Sequence, residues 1–299
     1  MNRMSSVHGL VPILATPFEP DGALDRPSLR RLVEFQLASG VDGVAVFGMA
    51  SEGFALTTDD RRRILQTVTD VAGGAVPVVA GVNGTSTVTA IEQAREVGGA
   101  AAALMVLPPF MVKPSPAQLV DFYGDVAAAT DAEVMVQDAP GSTGVAMSPS
   151  LIVELSKLDG VTSVKVESPP TAPKVSAVVD AIDGADFAVL GGQNSLFALD
   201  EYARGAVGTM PACEFPDLLA PVLGDWASGR RAEARAAFTR LLPLIQFGLQ
   251  QGIAWAVHKE VLVARGVIAH ASVRSPARDL DAAGRASLAD ILADLEVPA

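Results

Sequence analysis

The sequence predicts an α/β chain, a (β/α)8 TIM barrel with a C-terminal helical extension. Three observations predict it. Short apolar runs alternate with amphipathic helical segments, the alternation repeats eight times, and the 299 residues suit one barrel of about 250 residues plus an extension. The apolar runs are nearly continuous, as strands are when both faces of a parallel sheet are covered.

The first unit reads as a strand, VPILAT (11–16), and a helix near 26–39. GVAVFG (43–48) precedes a helix near 58–72, VPVVAGV (76–82) one near 86–97, and AALMVL (102–107) one near 116–128. EVMVQD (133–138) precedes a helix near 148–157, and VTSVKVE (161–167) one near 172–182. DFAVLGG (186–192) and AVGTMPA (206–212) lead into helices near 195–203 and 215–228. Strands alternating with helices give parallel βα units, and eight of them favour a closed barrel over an open sheet. No G-x-G-x-x-G follows the first strand, which argues against a dinucleotide fold. Beyond 228 the pattern is helical, near 230–249, 251–265 and 281–295. The expected organisation is therefore a barrel over 1–228 and an extension over 229–299 packed as part of the same unit.

Composition narrows the function classes. The net charge is −12, and the densest basic run is Arg61-Arg62-Arg63, so neither nucleic acid nor an anionic membrane is an expected partner. The single cysteine, Cys213, permits no intramolecular disulfide and fits a cytoplasmic setting. The N-terminus lacks a signal-peptide core, and no apolar stretch is long enough to span a bilayer. The three histidines are scattered, with no H-x-x-x-H or C-x-x-C spacing, so no metal site is expected. No G-x-S-x-G occurs, and no histidine is placed to activate Ser51.

Chemistry in such a barrel sits at the C-terminal ends of the strands. Of five lysines, only Lys165 lies inside an apolar strand, V-T-S-V-K-V-E. Burial disfavours an ammonium, and a neutral amine in such a place can attack a ketone to form a Schiff base. The same lysine could instead snorkel from the barrel mouth or pair with Glu167. The loop Gly48-Met49-Ala50-Ser51-Glu52-Gly53 can turn successive N–H groups toward a carboxylate, although it also reads as an ordinary βα turn.

These residues resemble the dihydrodipicolinate synthase / N-acetylneuraminate lyase superfamily over about residues 8–296. The likeness rests on Gly9 to Thr16-Pro17-Phe18, FGMASEGFALTTDDRRRIL (47–65), the run 79–110, PGSTGVAMSP (140–149), SVKVES (163–168), YARGAVGTMPA (202–212) and 273–288. It implies a lyase that forms an imine between Lys165 and a 2-keto acid such as pyruvate. It implies no cofactor beyond that covalent lysine imine, and a homo-oligomer, tetramer or dimer. Met49, Ala50, Ser51, Glu167, Gln193 and Thr209, all at strand ends, are the substrate-binding candidates.

The departures from the family pattern are equally informative. Gln137-Asp138-Ala139-Pro140 stands where the family carries a proton-relaying tyrosine, and an amide does not titrate usefully. Met49 and Ala50 replace hydroxyl residues, Met111 replaces another tyrosine, and Ser142 stands in place of a carboxylate-binding arginine. These losses argue against dihydrodipicolinate synthase activity. They point to aldol cleavage or addition with pyruvate, or to dehydration of a 2-keto-3-deoxy sugar acid. Catalytic candidates are therefore Lys165, Gln137 and Asp138. Only one of Gln137 and Asp138 can face the barrel mouth, whereas Lys165 and Glu167 should share a face. Glu167 could act as general base, or be structural through Lys174 or a backbone contact. The alternative function is a non-catalytic descendant that binds or senses a keto acid.

Overall fold

A computed structural model describes residues 5–182 and 186–297. Along the chain run β1 (Gly9–Leu10), α1 (Arg26–Ala38), β2 (Val44–Val46), α2 (Thr58–Ala72), β3 (Val78–Val82), α3 (Thr87–Val97), β4 (Ala103–Val106) and α4 (Pro116–Ala128). There follow β5 (Glu133–Asp138), α5 (Pro140–Thr143), α6 (Pro149–Leu155), β6 (Val161–Val166), α7 (Thr171–Ala181), β7 (Ala188–Gly191), α8 (Ala198–Ala203) and β8 (Gly208–Thr209). The chain ends in α9 (Pro216–Ala227), α10 (Arg231–Phe247), α11 (Ala254–Ala264) and α12 (Ala282–Asp294). This alternation of strands and helices is the element order of a (β/α)8 TIM barrel with a C-terminal helical extension.

Local signals start the helices where the sequence places them. Thr57 and Asp60 form a reciprocal capping box on α2, and Ser115 with Gln118 forms one on α4, whose first residue is Pro116. The helix expected near 195–203 starts later, at Ala198. Gln193, Asn194 and Ser195 all take left-handed backbone angles, which no α-helix accommodates. The short α5 has no counterpart in the sequence reading. The first strand also differs: β1 covers Gly9–Leu10, and within the expected 11–16 Ile13 alone makes a bridge. Pro12 lies between them and has no N–H to donate to a ladder.

The residues pack as two compact units. One comprises Met1–Val11 and Pro77–Met210, the other Pro12–Val76 and Pro211–Ala299. Helices α10–α12 belong to the second unit, together with α1, α2 and β2.

In the first unit, seven parallel strands stand in the order β1-β8-β7-β6-β5-β4-β3. Register partners on adjacent strands share a face. One set is Met105, Met135 and Ser163. Two residues further along, Gln137, Lys165, Leu190 and Gly208 share that face. The other face meets the unit's own helices and carries Asp138, Val166, Gly191 and Thr209. In the second unit, Ile13 bridges both Ala45 and Ala212. No described helix is long and apolar enough to cross a membrane.

Candidate active site

Strand β6 alternates two environments. Ser163 and Lys165 point to one face, and Val164 and Val166 to the other. Lys165 is 1% exposed. The ladder continues one residue past the strand, because the Glu167 N–H donates to the Asp138 carbonyl at 2.9 Å. Glu167 therefore falls on the Lys165 face, and its Oε1 lies 3.2 Å from Lys165 Nζ.

Three further donors converge on Glu167. Gln137, the register partner of Lys165 on β5, donates from Nε2 to Glu167 Oε2 at 2.8 Å. The Gln193 N–H donates to Glu167 Oε1 at 3.4 Å, and Gln193 Nε2 donates to the Glu167 carbonyl at 2.7 Å. Gly192 makes room for this arrangement. A Cβ there would lie 2.4 Å from Glu167 Cγ and 2.8 Å from its Oε1. Lys165, Glu167, Gln137 and Gln193 are thus one hydrogen-bonded cluster. A carboxylate touching both an ammonium and two amides can take a proton and return it. Gln137 can only orient that carboxylate.

Asp138 does not join the cluster. It lies on the helix face, fully buried, 2.5 Å from Lys174 Nζ, and Lys174 also donates to the Met147 carbonyl. Burial raises the Asp138 carboxyl above its ordinary range, against the opposing pull of Lys174. Lys174 therefore belongs to Asp138 rather than Glu167, and Asp138 is corrected from a catalytic candidate to a buried packing pair. Thr209 is corrected for the same geometric reason. It is the register partner of Gly191 on the helix face, and its hydroxyl lies 2.7 Å from that of Ser195. Alternation puts Met210, 1% exposed, on the Lys165 face instead. Met210 and Gly192 lie in strand ends that the sequence marks as candidates, but sequence reasoning does not single them out. Strand alternation was a usable signal for both, but it needed the register of β7 and β8.

In the second unit, Met49–Ser51 form a single 3-10 turn. The turn is braced from three directions. Trp255 Nε1 donates to the Met49 carbonyl at 2.6 Å, Thr16 Oγ1 to the Ser51 carbonyl at 2.7 Å, and Glu52 follows in a left-handed conformation with no exposure. Glu52 is ion-paired with Lys259 and accepts from the Arg274 N–H at 2.9 Å. The expectation that all three N–H groups of 49–51 are open to a carboxylate needs correction. The Ser51 N–H closes the turn on the Gly48 carbonyl at 3.1 Å. The buried Ser51 hydroxyl has no hydrogen-bond partner among the described residues. Among those residues no group of three or more His, Cys, Asp or Glu side chains is placed to hold a metal ion.

The chain is similar to known proteins over nearly its full length. It is 33% identical over 298 residues to an L-2-keto-3-deoxyarabonate dehydratase of Azospirillum brasilense, covering 96% of this chain and 94% of that protein. It is 31% identical over 284 residues to a 4-hydroxy-tetrahydrodipicolinate synthase of Saccharophagus degradans, covering 92% and 94%. Among solved structures, a dihydrodipicolinate synthase from Rhodopseudomonas palustris superposes with a TM-score of 0.92 at 27% identity, over 98% of this chain and 99% of that one. The Dihydrodipicolinate synthetase family model matches residues 6–295, and the chain belongs to that family of lyases.

Proposed function

We propose that this lyase forms a Schiff base between Lys165 and a 2-keto acid, and that its reaction is the dehydration or aldol cleavage of a hydroxylated 2-keto acid rather than dihydrodipicolinate synthesis. One observation carries the reading: a lysine buried in a strand, with Glu167 at 3.2 Å to take its proton. The neutral amine attacks the C2 carbonyl, the carbinolamine loses water, and the iminium draws electrons from C3.

Glu167 is the group placed to move protons in the later steps. In a dehydration it accepts the C3 proton as the enamine forms and returns that proton to the C4 hydroxyl, which leaves as water. In an aldol cleavage C3 keeps its protons: Glu167 accepts the C4 hydroxyl proton as the C3–C4 bond of the iminium breaks to an aldehyde and the enamine, and it then returns that proton to C3. Gln137, in the position where the family carries a tyrosine, holds the carboxylate toward the reacting carbons. The likeness to an L-2-keto-3-deoxyarabonate dehydratase supports a 2-keto-3-deoxy sugar acid as substrate and dehydration as the outcome. The Ser51 hydroxyl, with Met49 and Ala50, is assigned to the keto-acid carboxylate by the family resemblance. A homo-oligomeric, cytoplasmic enzyme without a further cofactor completes the reading.

The test is intact mass after incubation with pyruvate and borohydride, beside Lys165→Ala. An adduct that vanishes in the variant supports the imine, and turnover of 2-keto-3-deoxy acids then assigns the reaction. No adduct on folded protein, with pyruvate or larger keto acids, overturns the mechanism. An adduct without turnover of any such acid favours a keto-acid-binding descendant, the reading that the missing tyrosine and hydroxyls support.

A further inference from the structure

Glu201 is a buried titratable group that the reaction above does not use. It lies on α8, 1% exposed, and the Thr171 hydroxyl contacts its carboxyl. A carboxyl in that situation needs a reason, because an ionised one buried with so little donor support is costly.

Its position relative to Glu167 supplies the reason. Gly191 and Gly192 are consecutive residues at the end of β7, and they face opposite ways. A Cβ on Gly191 would lie 1.8 Å from Glu201 Oε2, and a Cβ on Gly192 would lie 2.8 Å from Glu167 Oε1. The two carboxyls therefore occupy the two side-chain positions that these glycines leave empty. Glu201 is on the helix face and Glu167 on the Lys165 face, with one strand of backbone between them. At that separation, through a water-excluded layer, like charges repel strongly.

We propose that Glu201 is a positioning residue for the Lys165–Glu167 pair, a carboxyl held neutral behind Gly191 so that Glu167 carries the single negative charge at the end of β7. The proposal rests on the reading of Glu167 as the proton-transfer group. The groups acting on Glu201 come from each neighbouring element: Glu167 at the end of β6, Asp200 on α8 itself and the Thr171 hydroxyl at the start of α7. Burial first, with the two carboxylates adding to it, pushes Glu201 up to about 7, against the Thr171 contact. When Glu201 ionises, a second negative charge behind Glu167 holds the proton on Lys165. Fewer molecules then carry the neutral amine that attacks the keto acid.

Two measurements test this. Infrared spectroscopy should find a protonated-carboxyl carbonyl band in the wild type near neutral pH that titrates away above it and is missing from Glu201→Gln. The single-turnover rate of imine formation with pyruvate, read by borohydride trapping, should lose an alkaline limb in Glu201→Gln that the wild type shows. If Glu201→Gln fails to fold, Glu201→Asp should move both the band and the limb. Identical pH profiles in wild type and variant overturn the proposal and leave the imine reading standing, as does the absence of the band. No trapped adduct in the wild type at any pH overturns the imine reading and takes the proposal with it.

Discussion

Gln137 and Lys165 are cross-strand register partners, and both reach the same carboxylate, that of Glu167, at 2.8 Å and 3.2 Å. The amide cannot exchange a proton and the ammonium can. Glu167 is therefore oriented from one side and faces a proton donor on the other. Glu167→Gln keeps the size of the side chain and removes its basicity. Turnover should fall by roughly 10²–10⁴-fold, the range for losing a positioned general base. The borohydride-trapped imine should still accumulate with pyruvate, and equal loss of trapping and turnover would show that Glu167 serves only to hold Lys165.

Gly192→Ala tests the same carboxylate sterically. The added methyl would meet Glu167 Cγ at 2.4 Å, closer than real contacts allow, so the side chain must leave its donors on Gln137 and Gln193. Turnover should fall by roughly 10²-fold or more, since small misplacements of reacting groups carry costs of that size. A fully active, folded Gly192→Ala would mean that the position of Glu167 does not matter to the reaction.

How much of this was legible in the sequence differs residue by residue. Lys165 stood out because an ammonium within an apolar strand needs an explanation, and that argument requires no register. Its shared face with Glu167 follows from alternation alone. Asp138 and Thr209 read as site residues because they close strands. Which face each takes depends on pairing with neighbours far away in sequence, and a one-residue change in register reverses the answer. The bracing of the 49–52 turn by Trp255, Lys259 and Arg274 was hidden for a similar reason, since it joins segments about 200 residues apart in the chain. Pro12 was visible in the sequence, and its missing N–H could have shortened the first strand.

Thr209→Val separates the two faces of β8. The substitution keeps the shape and removes the hydroxyl that lies 2.7 Å from Ser195 Oγ. Stability should fall by about 1 kcal/mol, the usual net worth of a hydrogen bond. KM for the keto acid should stay unchanged. Met210→Ala, on the Lys165 face, should raise KM. The reverse pattern in steady-state kinetics would restore Thr209 to the substrate site.

The second unit contains the pair whose loss should be most damaging to folding. Lys259 and Glu52 are both without exposure and ion-paired, and Lys259 also donates to the Ser272 carbonyl at 2.7 Å. Lys259→Met leaves the Glu52 charge buried without its partner and should cost about 3–5 kcal/mol in urea unfolding. The exposed pair between Arg285 and Glu260 is the control. Arg285→Met should leave the urea unfolding midpoint essentially where the wild type has it. Equal effects from the two variants would show that burial does not set the energy of these pairs.

Glu201 gives a pH dependence of stability with a definite sign. Its carboxyl is pushed from an ordinary 4.5 up to about 7, by burial first, so between those values the folded chain binds more protons than the unfolded one. Stability attributable to this group is fully present below 4.5 and falls as pH rises through that window, the opposite of a salt-bridged carboxylate. A tenfold difference in proton affinity between the folded and unfolded chains is worth about 1.4 kcal/mol, which sets a ceiling of about 3–4 kcal/mol on the difference between the ends of the window. Relative to Glu201→Gln, the wild type should lose stability from pH 4.5 to about 7 and then level off. The gap is read as the difference in unfolding free energy at each pH, which removes the contributions of every other titrating group the two proteins share. A constant gap across the window would mean that Glu201 binds its proton equally in the folded and unfolded chains, and that burial does not raise it.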